Sequence, residues 1–200
     1  MDNIELARFY DDEKRRLITI TVSDYNKLID SKDKNGIADF IFNRLFSRYI
    51  RPYSFDNSEY KEKFKNGFSI MANLCLLIET LQSFKNGWGD SDRKSEKAFK
   101  QFFDNNIHFA ELSQKGSIIY KNIRCGILHQ GETTGGWKIT RKGTFFYDSD
   151  TNTLDAVLFA ERMKMSLNDY RDSLINSEWD SEIWDNFRTK MRKVIQNCRS

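Results

Sequence analysis

The stretch Tyr120-Lys121-Asn122-Ile123-Arg124-Cys125-Gly126-Ile127-Leu128-His129-Gln130 holds an arginine, four residues and a histidine inside an otherwise apolar helical pattern. His129 is one of two histidines in the chain, the other being His108. An arginine fork matches two phosphate oxygens and stabilises the charge that builds up on them. A histidine titrates near neutrality and can take or give a proton. RNA carries its own nucleophile, the 2′-hydroxyl, so these two side chains are enough in kind to cleave a strand. No carboxylates, histidines or cysteines recur at metal-ligand spacing, and neither a metal nor a cofactor is expected.

Geometry restricts that reading. On an ideal helix, positions five apart point about 140° away from each other. Arg124 and His129 are therefore expected to meet in one of two ways. Either the helix end unwinds near Gly126 or His129, or a second copy of the chain brings its own pair across a two-fold axis. Gly126 costs roughly 1 kcal/mol against alanine within a helix. It suits a place where another backbone or a ligand comes close, and the partner expected here is the motif helix of the second copy.

The elements that must position the pair follow from periodicity. A motif helix is predicted over 117–128, with Ile118, Ile119, Ile123 and Ile127 buried. The longest helix is predicted over 58–85. Phe64, Phe68, Met71, Cys75 and Ile78 form one stripe, and Leu74, Leu77, Leu81 and Phe84 widen it, so this helix is central. Glu79 falls in its apolar half and needs a partner, for which Arg124 is the candidate. Asn122, Gln130 and Glu132 flank the motif as supporting polar groups. A helix over 37–50 ends at Arg51-Pro52. Its Arg44, Arg48 and Arg51 recur at i, i+4 and i+7, which reads either as a solvated face or as a track for RNA phosphates.

Further helices are predicted over 93–105, from Thr153 or Asp155 onward, and over 181–197. Residues 137–141 and 144–147 read as a hairpin joined by Lys142-Gly143. Asp148 to Asn152 form a polar turn. His108 reads as a structural residue beside Phe109. Residues 1–16 are dense in charge and read as a loose arm or frayed helix. Leu17 to Val22 fit a short strand or an extended lead-in to a helix capped by Ser23. The organisation expected is an N-terminal arm or lead-in helix over 1–34 and an all-α helical domain over 35–200, with a small hairpin before the last two helices.

Composition sets the class. The 200 residues are 39% hydrophobic and 14% aromatic, with a single proline, Pro52. That is a folding composition rather than a disordered one. A net charge of +3 and a pI near 8.6 are mildly basic. The two signs are interspersed, so charge balance alone does not point to nucleic acid. Cys75, Cys125 and Cys198 make no pairable framework and suit a reducing cytoplasm. The N-terminus carries no signal-peptide pattern, and the charge-free run from Asn66 to Ile78 is too short for a bilayer. The expectation is a soluble cytoplasmic protein with no membrane partner.

Arg124-x4-His129, near the end of an apolar helix and followed by Gln130-Gly131-Glu132-Thr133, resembles the HEPN superfamily. The helix order extends a looser likeness over about residues 35–198. The resemblance implies a HEPN-like helical bundle and a metal-independent endoribonuclease that cuts RNA by 2′-hydroxyl attack. It also implies a homodimer whose composite cleft is lined by Arg124 and His129, in a toxin–antitoxin or phage-defence setting where an antitoxin or regulator would be encoded separately. Active members often carry a polar residue after the arginine, where this chain has Cys125. That motivates an alternative, a non-catalytic HEPN-like module binding RNA, a nucleotide or a protein. A third reading, unrelated to the family, is a helical scaffold in which Arg124 and His129 are structural.

Overall fold

The carboxylate of Asp11 accepts from the amides of Glu13 and Lys14 at 3.1 and 3.0 Å, and Arg15 takes a left-handed φ of +49°. This turn folds the N-terminal residues back on themselves. In the computed structural model, which describes residues 3–53 and 63–199, β1 (Glu5–Asp11) pairs antiparallel with β2 (Arg16–Thr21), with a bulge between Glu5 and Ala7. The loose arm expected here is thus a hairpin. The alternation of Leu17 to Thr21 supplies one strand, and Leu6 and Ala7 bury the other. Thr21, rather than Ser23, caps the next helix, and Asp24 reciprocates in a capping box.

The chain is mostly helical with small sheets, and it divides into two units. The first comprises residues 1–48, 83–90 and 167–200. It contains the hairpin, α1 (Val22–Asp30) and most of α2 (Lys34–Tyr49). It also holds the end of α3 (Gly67–Lys85), the C-terminal part of α7 (Ala156–Asn176) and α8 (Glu182–Arg199). Its core gathers Tyr25, Phe40, Phe84, Trp184 and Phe187, with Trp184 set edge-on to Phe187 at 5.6 Å. Trp184 Nε1 donates to the Leu174 carbonyl at 3.0 Å, so the buried indole is satisfied.

The second unit comprises residues 49–82 and 91–166. It contains most of α3, α4 (Ser95–Asp104), and an irregular motif helix made of α5 (Gly116–Ile119), a π turn (Tyr120–Cys125) and α6 (Gly126–Gln130). Residues 58–62, expected at the start of the long helix, lie outside the described residues. Met71, Leu74, Leu77, Ile78 and Leu81 of α3 are buried at 4% exposure or less, as the wide apolar stripe requires. Among the described residues α3 alone is long and apolar enough to cross a bilayer, and 61% of it is buried within the protein. Phe109 stands at the centre of an aromatic cluster, 5.0 Å from Phe102 and 4.8 Å from Phe159. On the motif helix Ile119 and Ile123 are buried, but Ile118 is 49% exposed, so its predicted inward face is too broad.

The small sheet differs from the expected hairpin. β3 (Lys138–Thr140) runs parallel to β5 (Thr153–Asp155), and β4 (Tyr147–Asp148) pairs antiparallel with β5, giving the order β3-β5-β4. The Gly143 amide donates to Asp155 Oδ2 at 2.8 Å, so Lys142-Gly143 serves the far strand rather than a two-residue turn. The Asp148 carboxylate accepts from the amides of Asp150 and Thr151, which closes the β4–β5 connection. Asp155, fully buried, also accepts from the amides of Val157 and Leu158 and so caps α7.

Candidate functional site

Three elements of the second unit build the site. α3 supplies Glu79, α4 begins with Ser95, and the motif helix supplies Tyr120, Arg124, Cys125 and His129. Arg124 Nε donates to Glu79 Oε1 at 2.8 Å, and Ser95 Oγ donates to Glu79 Oε2 at 2.8 Å. The Arg124 and Glu79 side chains are only 17% and 9% exposed. Arg124 Nη1 lies 3.3 Å from Nε2 of the exposed His129.

The motif helix is wide where it matters. A π turn bonds residue i to i+5, so side chains five apart come close to lying one above the other. Tyr120 and Cys125 are five apart, and their side chains are close enough to act on each other's ionisation. Arg124 and His129 are also five apart, at the junction of the π turn with α6, and the widened coil with the long guanidinium arm lets them touch. Of the two routes expected, the altered helix near Gly126 is the one seen here, and the pair meets within one chain. The loop after the helix accounts for the distortion. The Asn122 carbonyl accepts from the Thr134 amide at 2.9 Å, and the Gly126 amide turns to the Ile123 carbonyl.

Gly126 is buried, and a Cβ on it would strike the carbonyl oxygen of Glu132 and touch Thr133. The backbone that needs this glycine belongs to the chain's own exit loop, not to a second motif helix. Asn122 serves the same loop. Its Oδ1 accepts from Thr134 Oγ1 at 2.9 Å and faces Gly135, whose φ is +61°. Asn122 is thus a loop anchor rather than a member of the Arg–His group. Gln130 and Glu132 are exposed at the helix exit, and neither bonds Arg124 or His129.

The electrostatics follow from the contacts. Burial works against the Arg124 charge, but the hydrogen bond and charge of Glu79 outweigh it and raise its pKa. The neighbouring Cys125 thiol, with partial burial, raises the Tyr120 phenol, while the nearby Arg124 charge opposes. The Arg124 guanidinium lies 5.7 Å from the Tyr120 ring centre, within cation–π range. Burial pushes the Cys75 thiol far above its ordinary range. An arginine can only donate, so at the observed contact His129 Nε2 is the acceptor and its proton sits on Nδ1. The single lone pair of Nε2 is thus turned to a guanidinium whose Nε edge is held by Glu79.

Of Arg44, Arg48 and Arg51, Arg48 alone is exposed. Arg44 is 6% exposed. Arg48 Nη2 donates to the Leu6 carbonyl at 3.0 Å. Arg51 lies beyond α2, in a separate 3-10 turn. His108 donates its amide to Asn106 Oδ1, and its carbonyl accepts from Arg162 Nη1. Among the described residues no three His, Cys, Asp or Glu side chains are grouped to hold a metal ion. Ser95 and the Tyr120–Cys125 pair escaped the sequence reading. Ser95 is one of two serines near the start of α4, and a π turn leaves no periodic signature. No protein-family model, curated protein or solved structure matches the chain.

Proposed function

We propose that this chain is a metal-independent endoribonuclease of the HEPN type. The observation that carries the reading is the 3.3 Å approach of Arg124 Nη1 to His129 Nε2, with Arg124 anchored by Glu79. In this mechanism Arg124 turns from His129 to the phosphate as RNA binds, and the freed Nε2 of His129 takes the proton of the 2′-hydroxyl, whose oxygen attacks the adjacent phosphorus. The bond to the 5′-oxygen breaks and that oxygen takes a proton from water, leaving a 2′,3′-cyclic phosphate and a 5′-hydroxyl end. Arg124 directs its guanidinium N–H groups at the phosphate oxygens, where negative charge grows in the transition state. Glu79 and Tyr120 act as positioning residues that fix the guanidinium plane.

The burial of the Glu79–Arg124 pair favours a second reading, in which the pair braces the helices and the site binds RNA or a partner without cutting it. RNA incubated in EDTA with wild type and with His129→Ala separates the two. Cleavage that survives EDTA and disappears in the variant supports the nuclease. RNA retained intact by both proteins supports the binding module. The homodimer implied by the family resemblance belongs to the same proposal and is read by mass photometry at micromolar concentration.

A further inference from the structure

In the first unit, a cavity of about 450 Å³ lies between α1 and α8. A second hollow of about 330 Å³ shares Asn26, Arg192 and Ile195 with it, so the two form one groove. This volume lies within the range of small-ligand pockets. Tyr25 lines it and is only 5% exposed, its ring packed against Phe40 and Phe187. Its hydroxyl has no hydrogen-bond partner among the described residues. The hydroxyl oxygen is not sealed in the core, so it is free to donate to an occupant of the groove.

The surroundings of that oxygen indicate the occupant's charge. Arg188 and Arg192 stand one helical turn apart on α8, and both act electrostatically on the Tyr25 phenol. Burial pushes that phenol well above its ordinary range, so it stays a donor at neutral pH. Arg188 is already committed: Nη1 donates to the Trp179 carbonyl, Nη2 to Asp185 Oδ1, and its guanidinium lies 4.9 Å from the Trp179 ring centre. Arg192 donates Nη2 only to the neutral Thr189 hydroxyl, at 2.9 Å. No carboxylate pairs with it among the described residues. Beside the Arg188–Asp185 ion pair, which also lines it, the groove therefore offers a neutral O–H donor, a guanidinium with no carboxylate partner and the apolar side chains of Ile29 and Ile195.

We propose that this groove binds a small phosphomonoester. Its phosphate is held by the Tyr25 hydroxyl and the Arg192 guanidinium, and its organic part lies over Ile29 and Ile195. A phosphate fits better than a carboxylate because it presents three oxygens to two differently placed donors and carries close to two negative charges at neutral pH. The site is separate from Arg124 and His129 and stands or falls independently of the nuclease reading.

Phenyl phosphate is the simplest probe with both features. Titrated at millimolar concentration into the full chain, it should give saturable amide shifts at Asn26 and Ile195. Inorganic phosphate should bind several-fold more weakly, because it leaves the apolar wall uncovered. Tyr25→Phe keeps the ring and removes the hydroxyl, and Arg192→Gln changes an exposed side chain. Each should weaken phenyl phosphate about tenfold, the scale of a hydrogen bond to a charged group. Three results overturn the proposal: no saturable shift, equal affinity for inorganic phosphate, or unchanged affinity in Arg192→Gln, the variant least able to disturb the fold.

Discussion

Replacing Arg124 removes the charge that compensates a carboxylate only 9% exposed. Arg124→Ala should therefore destabilise the protein by about 3 kcal/mol, the low end for breaking a buried ion pair. Arg124→Lys keeps a charge but loses the Nε donor and the fork. Its RNA binding should weaken modestly, while cleavage falls about 10²-fold or more, the range for losing one transition-state donor. His129 is exposed, so His129→Ala should leave the melting temperature nearly unchanged, yet lower cleavage by about 10²–10⁴-fold. Paired melts and single-turnover rates decide between these roles. If Arg124→Lys and His129→Ala both melt lower and cut equally well per folded molecule, the nuclease reading fails. At this scale the sequence was informative about pairs. Glu79 in an apolar stripe demanded a cation, and Arg124 supplies it. It was uninformative about Arg44, because charge periodicity does not distinguish a solvated arginine from a buried one.

At the scale of elements, the exit loop and the motif helix hold each other in place. Gly126→Ala would drive a methyl group into the Glu132 carbonyl, and backbone rather than a flexible side chain must yield. The expected outcome is a melting temperature several degrees lower, since each kcal/mol corresponds to about 2–4 °C in a chain of this length. Cleavage should fall further than folding, because the displaced loop also releases Asn122. An unchanged melt would show that the loop moves freely. Helix positions were legible because apolar spacing reports burial, as the stripe of α3 illustrates. The π turn was not, since one extra residue per turn leaves composition and spacing almost unchanged over six positions. The small sheet was misread for a related reason. Local turn signals suggested that neighbouring segments pair, whereas Asp155 ties Gly143 to a strand twelve residues away.

Two predictions concern the protein as a whole. Glu111 is held below its ordinary value near 4.5 by its hydrogen bond from Arg162, with burial opposing. A lowered folded-state pKa contributes stability above the unfolded value and loses it as pH falls through the folded value. Stability should thus decline as pH drops below about 4.5, and Glu111→Gln should flatten that decline while lowering stability slightly at neutral pH. Equal slopes in both proteins would remove Glu111 from the acid response. The thiols should also separate. Cys198 is exposed and Cys75 fully buried, so an aromatic disulfide reagent should modify Cys198 in the native protein and reach Cys75 only on unfolding. Cys75 reacting at the rate of Cys198 would contradict the packing of α3. The two-unit division itself was hidden in the sequence, because three of its four boundaries fall inside continuous helices and the fourth in the loop between α3 and α4.

Asp155 has a consequence for the timing of local motion. One carboxylate ends β5, caps α7 and accepts the Gly143 amide, with no residue between strand and helix to absorb movement. The strand cannot detach without exposing the first turn of the helix and freeing the 142–143 segment. Hydrogen exchange at Gly143, Val157 and Leu158 should then follow a single opening event with a shared free energy, as expected of one cooperative unit. In Asp155→Ala the three amides should exchange at separate rates, with Gly143 fastest. Three unrelated rates in the wild-type protein would mean that this residue caps a helix without coupling it to the sheet.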